Sequence, residues 1–208
     1  MRARRRDLLR AAALLALPVP AARARAGGAP AAALEPAPET TRIETLMRRF
    51  AAVRESRATF TEEKAIPELE LPLPSRGTLR WSAPDHLEKI TTDPSPERLI
   101  VAGDRLLLER PDQNVRTELS LDQAPEIRPL VEAIRATLAG DLATLRRYHE
   151  VGFTAYADDN WKITLVPLSV RVRAVVQRIV LSGTGPFVAA METDGSGGTT
   201  RMWIRPAG

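Results

Sequence analysis

The chain has 208 residues, 44% hydrophobic and 27% charged, which suits one globular domain with a substantial core. It has no cysteine and only two histidines, His86 and His149, so disulfides, thiol nucleophiles and Cys-type metal sites are excluded and a histidine-built metal site is not expected. The sequence pI near 10.1 belongs to residues 1–26, which hold seven Arg and one acid. The remainder has 23 basic and 25 acidic residues, a net charge of −2, so no nucleic-acid partner is expected, since that needs a basic face on the folded domain.

Arg2 to Arg6 form a positive segment, and Ala11 to Leu17 an apolar run too short to span a bilayer. Ala22-Arg23-Ala24 and Ala24-Arg25-Ala26 each fit a small-x-small cleavage site. Residues 1–26 therefore read as a cleaved signal peptide, the mature chain starting near Arg25 or Gly27. Arg5-Arg6-Asp7-Leu8-Leu9-Arg10 also fits a twin-arginine motif, which leaves that export route and the general one both open. No Cys follows the apolar run to take a lipid anchor, and no later run of about 18 apolar residues occurs. The expectation is a soluble periplasmic protein. Residues 27–39, almost all Ala, Pro and Gly, read as a flexible spacer, and residues 40–206 as the folded domain.

Thr40 and Thr41 are N-cap candidates with Glu44 three residues after Thr41. Ile43, Leu46, Met47, Phe50 and Val53 follow at helical spacing. From Thr59 the period changes to that of a strand running to Lys64. Pro67, Pro72 and Pro74 make residues 65–75 an irregular or edge segment. Gly77 to Ser82 forms a strand with Leu79 and Trp81 on one face. A corner at Ala83-Pro84 then returns the chain through Asp85 to Glu88. Asp93 to Pro96, Gly103-Asp104 and Pro111 to Asn114 punctuate short strands at 99–101, 106–108 and 115–121, an antiparallel meander.

Ile127, Leu130, Val131, Ile134 and Leu138 share one face of a helix that Gly140 ends. Asp141 caps a short second helix carrying Leu142 and Leu145. Strands resume at 153–157, 161–165, 175–181, 187–193 and 199–205. Asp158 to Asn160, Ser182 to Gly185 and Asp194 to Gly198 read as turns. The fold class predicted is α+β: a curved antiparallel sheet, an unclosed half-barrel of roughly ten strands, with helices covering its concave face.

No nucleophile elbow, phosphate-binding loop or Cys/His cluster occurs. Asp194-Gly195-Ser196-Gly197-Gly198 is a scrambled version of a serine-protease signature and reads as a hairpin turn. Asp158 and Asp159 read as solvated turn formers, and His86 and His149 as surface or helix-end residues. No catalytic residue, metal or cofactor is expected, and the chain is not expected to be an enzyme.

Several short motifs appear in a fixed order. Phe60-Thr61-Glu62 comes first, then Gly77-Thr78-Leu79-Arg80-Trp81 with Pro84. Val101-Ala102-Gly103-Asp104 with Leu106, Leu165-Val166-Pro167 and Asp194-Gly195 follow. Together, over residues 42–205, they resemble the LolA family of periplasmic carriers that ferry lipoproteins through the envelope. The resemblance implies a soluble carrier that binds acyl chains of lipoproteins, or of another acylated lipid, in an apolar cavity and moves them toward the outer membrane. Each buried CH₂ contributes about 0.8 kcal/mol. An inner-membrane donor complex and an outer-membrane receptor are the implied partners. Leu79, Trp81, Leu106, Leu108, Ile163 and Leu165 would line the sheet side, with Phe50, Leu130, Val131 and Ile134 facing them from the lid.

Periodicity alone does not separate a cavity wall from a packed core, and a non-transporting envelope protein that binds lipid or a partner remains the alternative. Two positions depart from the family pattern. Its Phe-x-Gln is Phe60-Thr61-Glu62 here. The Arg that precedes the hairpin proline and contacts the lid helices is replaced by Ala83. The lid is therefore expected to be held mainly by the apolar Ile127–Leu138 face, with Arg135 at the surface.

Overall fold

The computed structural model describes residues 43–207. The expected signal peptide (1–26), the expected spacer (27–39) and the N-cap candidates Thr40 and Thr41 lie outside the described residues. The order is α1 (Ile43–Ala51), β1 (Glu55–Lys64), β2 (Leu73–Ser82), β3 (His86–Asp93), β4 (Glu97–Ala102), β5 (Arg105–Arg110) and β6 (Val115–Ser120). Then come α2 (Arg128–Ala139), α3 (Leu142–Tyr148), β7 (His149–Ala155), β8 (Asn160–Pro167), α4 (Val170–Arg173), β9 (Val176–Thr184), β10 (Phe187–Gly195) and β11 (Gly198–Pro206). All eleven strands form one sheet in the order β6-β5-β4-β3-β2-β1-β11-β10-β9-β8-β7. Every pairing is antiparallel, and β1 joins the two meanders by pairing with both β2 and β11. β6 and β7 are free edges, so the sheet is open.

Alternation sets the faces. On β1, Ala58, Phe60 and Glu62 turn inward and Thr59, Thr61 and Glu63 outward. Leu46, Met47 and Phe50 of α1 and Leu130, Val131 and Ala133 of α2 are buried in the same core cluster as Trp81, Leu106, Ile163 and Leu165. Helices thus cover one face of the sheet, as the sequence predicts. Gly140 ends α2 in the left-handed region, φ 70°, with its N–H on the Ala136 and Thr137 carbonyls. A side chain there would also collide with the Met47 carbonyl, so glycine sets how closely α2 approaches α1. Asp141 caps α3 by accepting from the Thr144 N–H at 2.9 Å.

Several boundaries differ from the sequence reading: β1 already begins at Glu55 and β7 at His149. Leu73, Pro74 and Ser75 belong to β2 rather than to an irregular segment. Pro74 pairs only with Glu63 of β1, because the β2–β3 ladder begins at Arg76, so its missing N–H interrupts no second ladder. Ser182 to Thr184 lie inside β9, and the turn is displaced to Gly185-Pro186. Gly183 is there for close approach, since a side chain would meet the Phe187 carbonyl and the Trp161 ring. Val53 falls beyond the last turn of α1.

Candidate functional site

Trp81 projects from β2 beside Leu79, and β3 places Leu87 opposite Trp81 and Lys89 opposite Leu79. Above them α2 lays Val131, Ile134 and Leu138. Between sheet and helix is an apolar cavity of about 100 Å³ that extends across β1 and β11 to β10 and β9. Phe50 closes one side and holds an edge-to-face contact with Trp161, ring centroids 5.7 Å apart. The Trp161 indole N–H donates to the Gly185 carbonyl at 2.8 Å. Both aromatic rings are thereby fixed by packing and hydrogen bonding.

Of the ten residues singled out from the sequence, Leu79, Trp81, Phe50, Val131 and Ile134 border this cavity. Leu106, Leu108, Ile163, Leu165 and Leu130 do not border it and are buried in the core cluster. The sequence reading omitted Leu181, Val188, Met191, Met202 and Ile204, which complete the wall from β9, β10 and β11. Met202 and Ile204 alternate inward on β11, but Val188 and Met191, three residues apart, both reach the cavity only through a β-bulge in β10, and the β1–β11 pairing that brings them opposite α2 joins elements at the two ends of the domain.

The charged groups of the inner face were also missed. Glu62 and Lys89 form an ion pair at 2.8 Å with side chains 7% and 5% exposed. The Ser75 hydroxyl donates to Glu62 at 3.2 Å, and the Lys89 ammonium stands 4.8 Å above the Phe60 ring. The signal was the strand period itself, since Leu87 inward places Lys89 and Thr91 inward too.

The edge of α2 facing the β4–β5 turn is polar. Arg135 is 13% exposed and donates to the Gly103 carbonyl and to Glu132. Arg128 donates to Asp104 and, at 2.6 Å, to Asp122. Asp104 also accepts from Ser120, and that hydrogen bond, with the Asp122 N–H and Arg128, holds its carboxyl below the usual carboxylate range. Arg135 is therefore not a surface residue, and the helix is fastened by charge as well as by apolar contact. Two arginines thus reach from α2 to the β4–β5 turn. Ala83 packs against the core.

His149 begins β7 at 2% exposure, and neither ring nitrogen has a hydrogen-bond partner among the described residues. Burial pushes its pKa down, partly offset by the nearby Leu145 carbonyl and by Glu132. Asp158 and Asp159 form a left-handed turn, φ 57° and 61°. Asp159 accepts both guanidinium bonds of Arg49 at 2.7 Å. No cluster of three or more His, Asp or Glu that could hold a metal occurs among the described residues, and no described helix is long and apolar enough to cross a membrane.

Similar solved structures include a LolA superfamily protein from Nitrosomonas europaea, 11% identical, covering 79% of this chain and 92% of that one with a TM-score of 0.42. Lipoprotein LppX from Mycobacterium tuberculosis is 11% identical, covering 78% and 93%, TM-score 0.40. A chain of the MucA/MucB complex from Pseudomonas aeruginosa is 9% identical, covering 78% and 55%, TM-score 0.41. No curated protein sequence matches the chain. Residues 35–204 match the family described as outer membrane lipoprotein carrier protein LolA-like; spanning most of the sequence, this match makes the chain a member of that LolA-like family.

Proposed function

We propose that this chain is a divergent periplasmic carrier that takes the acyl chains of a lipoprotein or another acylated lipid under α2 and moves them toward the outer membrane. The observation that carries the proposal is the apolar cavity between α2 and the sheet in a member of this family. An acyl chain gains about 0.8 kcal/mol per buried CH₂, so an apolar wall suffices for binding and no covalent step is needed. Export by the amino-terminal signal peptide, an inner-membrane donor and an outer-membrane receptor belong to this proposal.

Size sets the mechanism. An apolar cavity of about 150 Å³ takes a benzene-sized molecule, and about 100 Å³ is too little for an acyl chain. Loading then requires α2 to swing away from the sheet, opening between Ile134 and the β2–β3 hairpin. The Arg128–Asp104 and Arg135–Gly103 contacts would break as it does. The same small volume favours the second reading, an envelope protein that senses or holds lipid without transporting it.

The test is titration of a fluorescent fatty acid into wild type and Ile134→Glu. A carboxylate there lacks a partner in the apolar wall, and burying it costs several kcal/mol. Binding should be lost while circular dichroism shows a folded protein, and the exposed α3 change Arg147→Glu should leave binding intact. Equal binding by folded Ile134→Glu and wild type would overturn the proposal. Mass spectrometry of lipid extracted from protein purified from its own periplasm would then separate a loaded carrier from an empty binding protein.

A further inference from the structure

One step along the same strands, the inner face turns from apolar to charged. Past Ala58 and Phe60, β1 presents Glu62 and Lys64. Past Leu79, β2 presents Ser75 opposite Glu62. Lys89 on β3 borders both regions, and Glu97 of β4 accepts from Arg110 of β5 at 2.7 Å. These residues line a cleft of about 230 Å³ that adjoins the apolar cavity at Lys89.

Its charges do not cancel. Lys64, Lys89 and Arg110 stand against Glu62 and Glu97. The two carboxylates are already engaged by Lys89 and Arg110. The Lys64 ammonium makes no ion pair or hydrogen bond among the described residues. Desolvation pushes its pKa down to about 8, Lys89 and Arg110 acting the same way and Glu62 and Glu97 opposing. A half-buried cation whose neighbouring carboxylates, Glu62 and Glu97, are already engaged by Lys89 and Arg110 is a poor arrangement for an empty protein. It is a suitable one for a ligand that brings an anion.

We propose that this cleft receives the anionic head, phosphate or carboxylate, of an amphiphile whose acyl chain lies in the cavity under α2, with Lys64 as its counter-charge. The proposal rests on the carrier reading and adds to it the charge of the cargo. Lys89 at the boundary, neutralised by Glu62 and stacked on Phe60, marks where the chain ends and the head begins. Thr91, which also lines the cleft, supplies a hydroxyl donor for a remaining oxygen.

The experiment displaces N-phenyl-1-naphthylamine from the protein with dodecanoate, dodecyl phosphate and 1-monododecanoylglycerol, which share a chain and differ in the head. Wild type should bind the two anions about tenfold more tightly than the neutral ester at pH 7. The dodecanoate advantage should shrink by pH 9.5, as Lys64 loses its proton, a readout that needs no variant. Lys64→Met should lose the preference for the two anions over the ester. Stronger binding of the phosphate or of the carboxylate assigns the head to a phospholipid-type or a fatty-acid-type cargo. Equal affinity of wild type for all three overturns the headgroup proposal and leaves the carrier reading standing. Failure of all three to displace the dye overturns the carrier reading itself.

Discussion

The centre of the inner face and its two flanks carry the same alternation of apolar residues and end differently. On the flanks, Leu106 and Leu108 of β5 and Ile163 and Leu165 of β8 are at most 1% exposed and lie in the core cluster, away from the cavity under α2. At the centre, Leu79, Met191 and Met202 border a void. The helices are fastened toward the flanks. α1 is tied to the β7–β8 turn through Arg49 and Asp159, and α2 to the β4–β5 turn through Arg128, Arg135, Gly103 and Asp104. Packed against each other, they bridge the middle strands without filling the space beneath. Whether an inward residue becomes core or wall is decided by what spans above it.

The largest effect should follow from emptying a flank. Ile163→Ala removes a fully buried side chain from packed surroundings and should destabilise by about 2–5 kcal/mol in urea unfolding, with fatty-acid affinity of the folded protein unchanged. Leu79→Ala, already against a void, should cost less and weaken fatty-acid binding. Equal costs with no change in binding would mean that the centre is core like the flanks. Arg135→Met should come next. It leaves Glu132, 5% exposed, with only Arg128 at 3.5 Å, and frees the Gly103 carbonyl. The expected loss is about 1.5–3 kcal/mol, with faster fatty-acid release in stopped flow, because the contacts broken are those that hold α2 down. Slower or unchanged release would remove the latch from the mechanism.

The sheet, the α2 and α3 helices, the Gly140 stop and the Asp141 cap were legible because each is written in local spacing or in one residue's backbone preference. The division into wall and core was not. Leu79 and Leu108 occupy equivalent inward positions on their strands, and only the span of α2 tells them apart. The Glu62–Lys89 pair was half legible. Each residue sits inward by period, but their proximity depends on the β1–β2–β3 register across two ladders. Arg135 lies one position from Ile134 and looked exposed on the helical wheel. Its long side chain instead reaches sideways to a carbonyl in a turn 32 residues earlier. The single-turn α4 carries too few residues to show a period.

His149 tests the β7 flank through pH. Its pKa is depressed in the folded state by burial, while in the unfolded chain it takes the ordinary histidine value, about 6.5. Below that value the unfolded state binds the proton more readily, so stability present above it should fall progressively as pH drops. Urea unfolding from pH 8 to pH 5 should show that slope, and His149→Phe, which removes the titrating ring, should flatten it. A slope that persists in the variant would assign the loss to other groups.

The smallest effect is expected at the clamp on α1, where the geometry is the better of the two. Arg49 meets Asp159 through two bonds of 2.7 Å, yet the side chains are 41% and 44% exposed. The Arg49 hydrogen bond lowers the Asp159 pKa and raises that of Arg49, but water and salt screen a pair this open. Exposed ion pairs contribute about 0–1 kcal/mol. Arg49→Ala should therefore cost less than Arg135→Met, and its cost should shrink further in high salt, whereas the Arg135 effect should persist there. The α1 end is held by Phe50 against Trp161, which salt does not weaken. A salt-insensitive loss at Arg49 as large as that at Arg135 would show that the two helices are fastened alike, and that α2 has no special freedom to open.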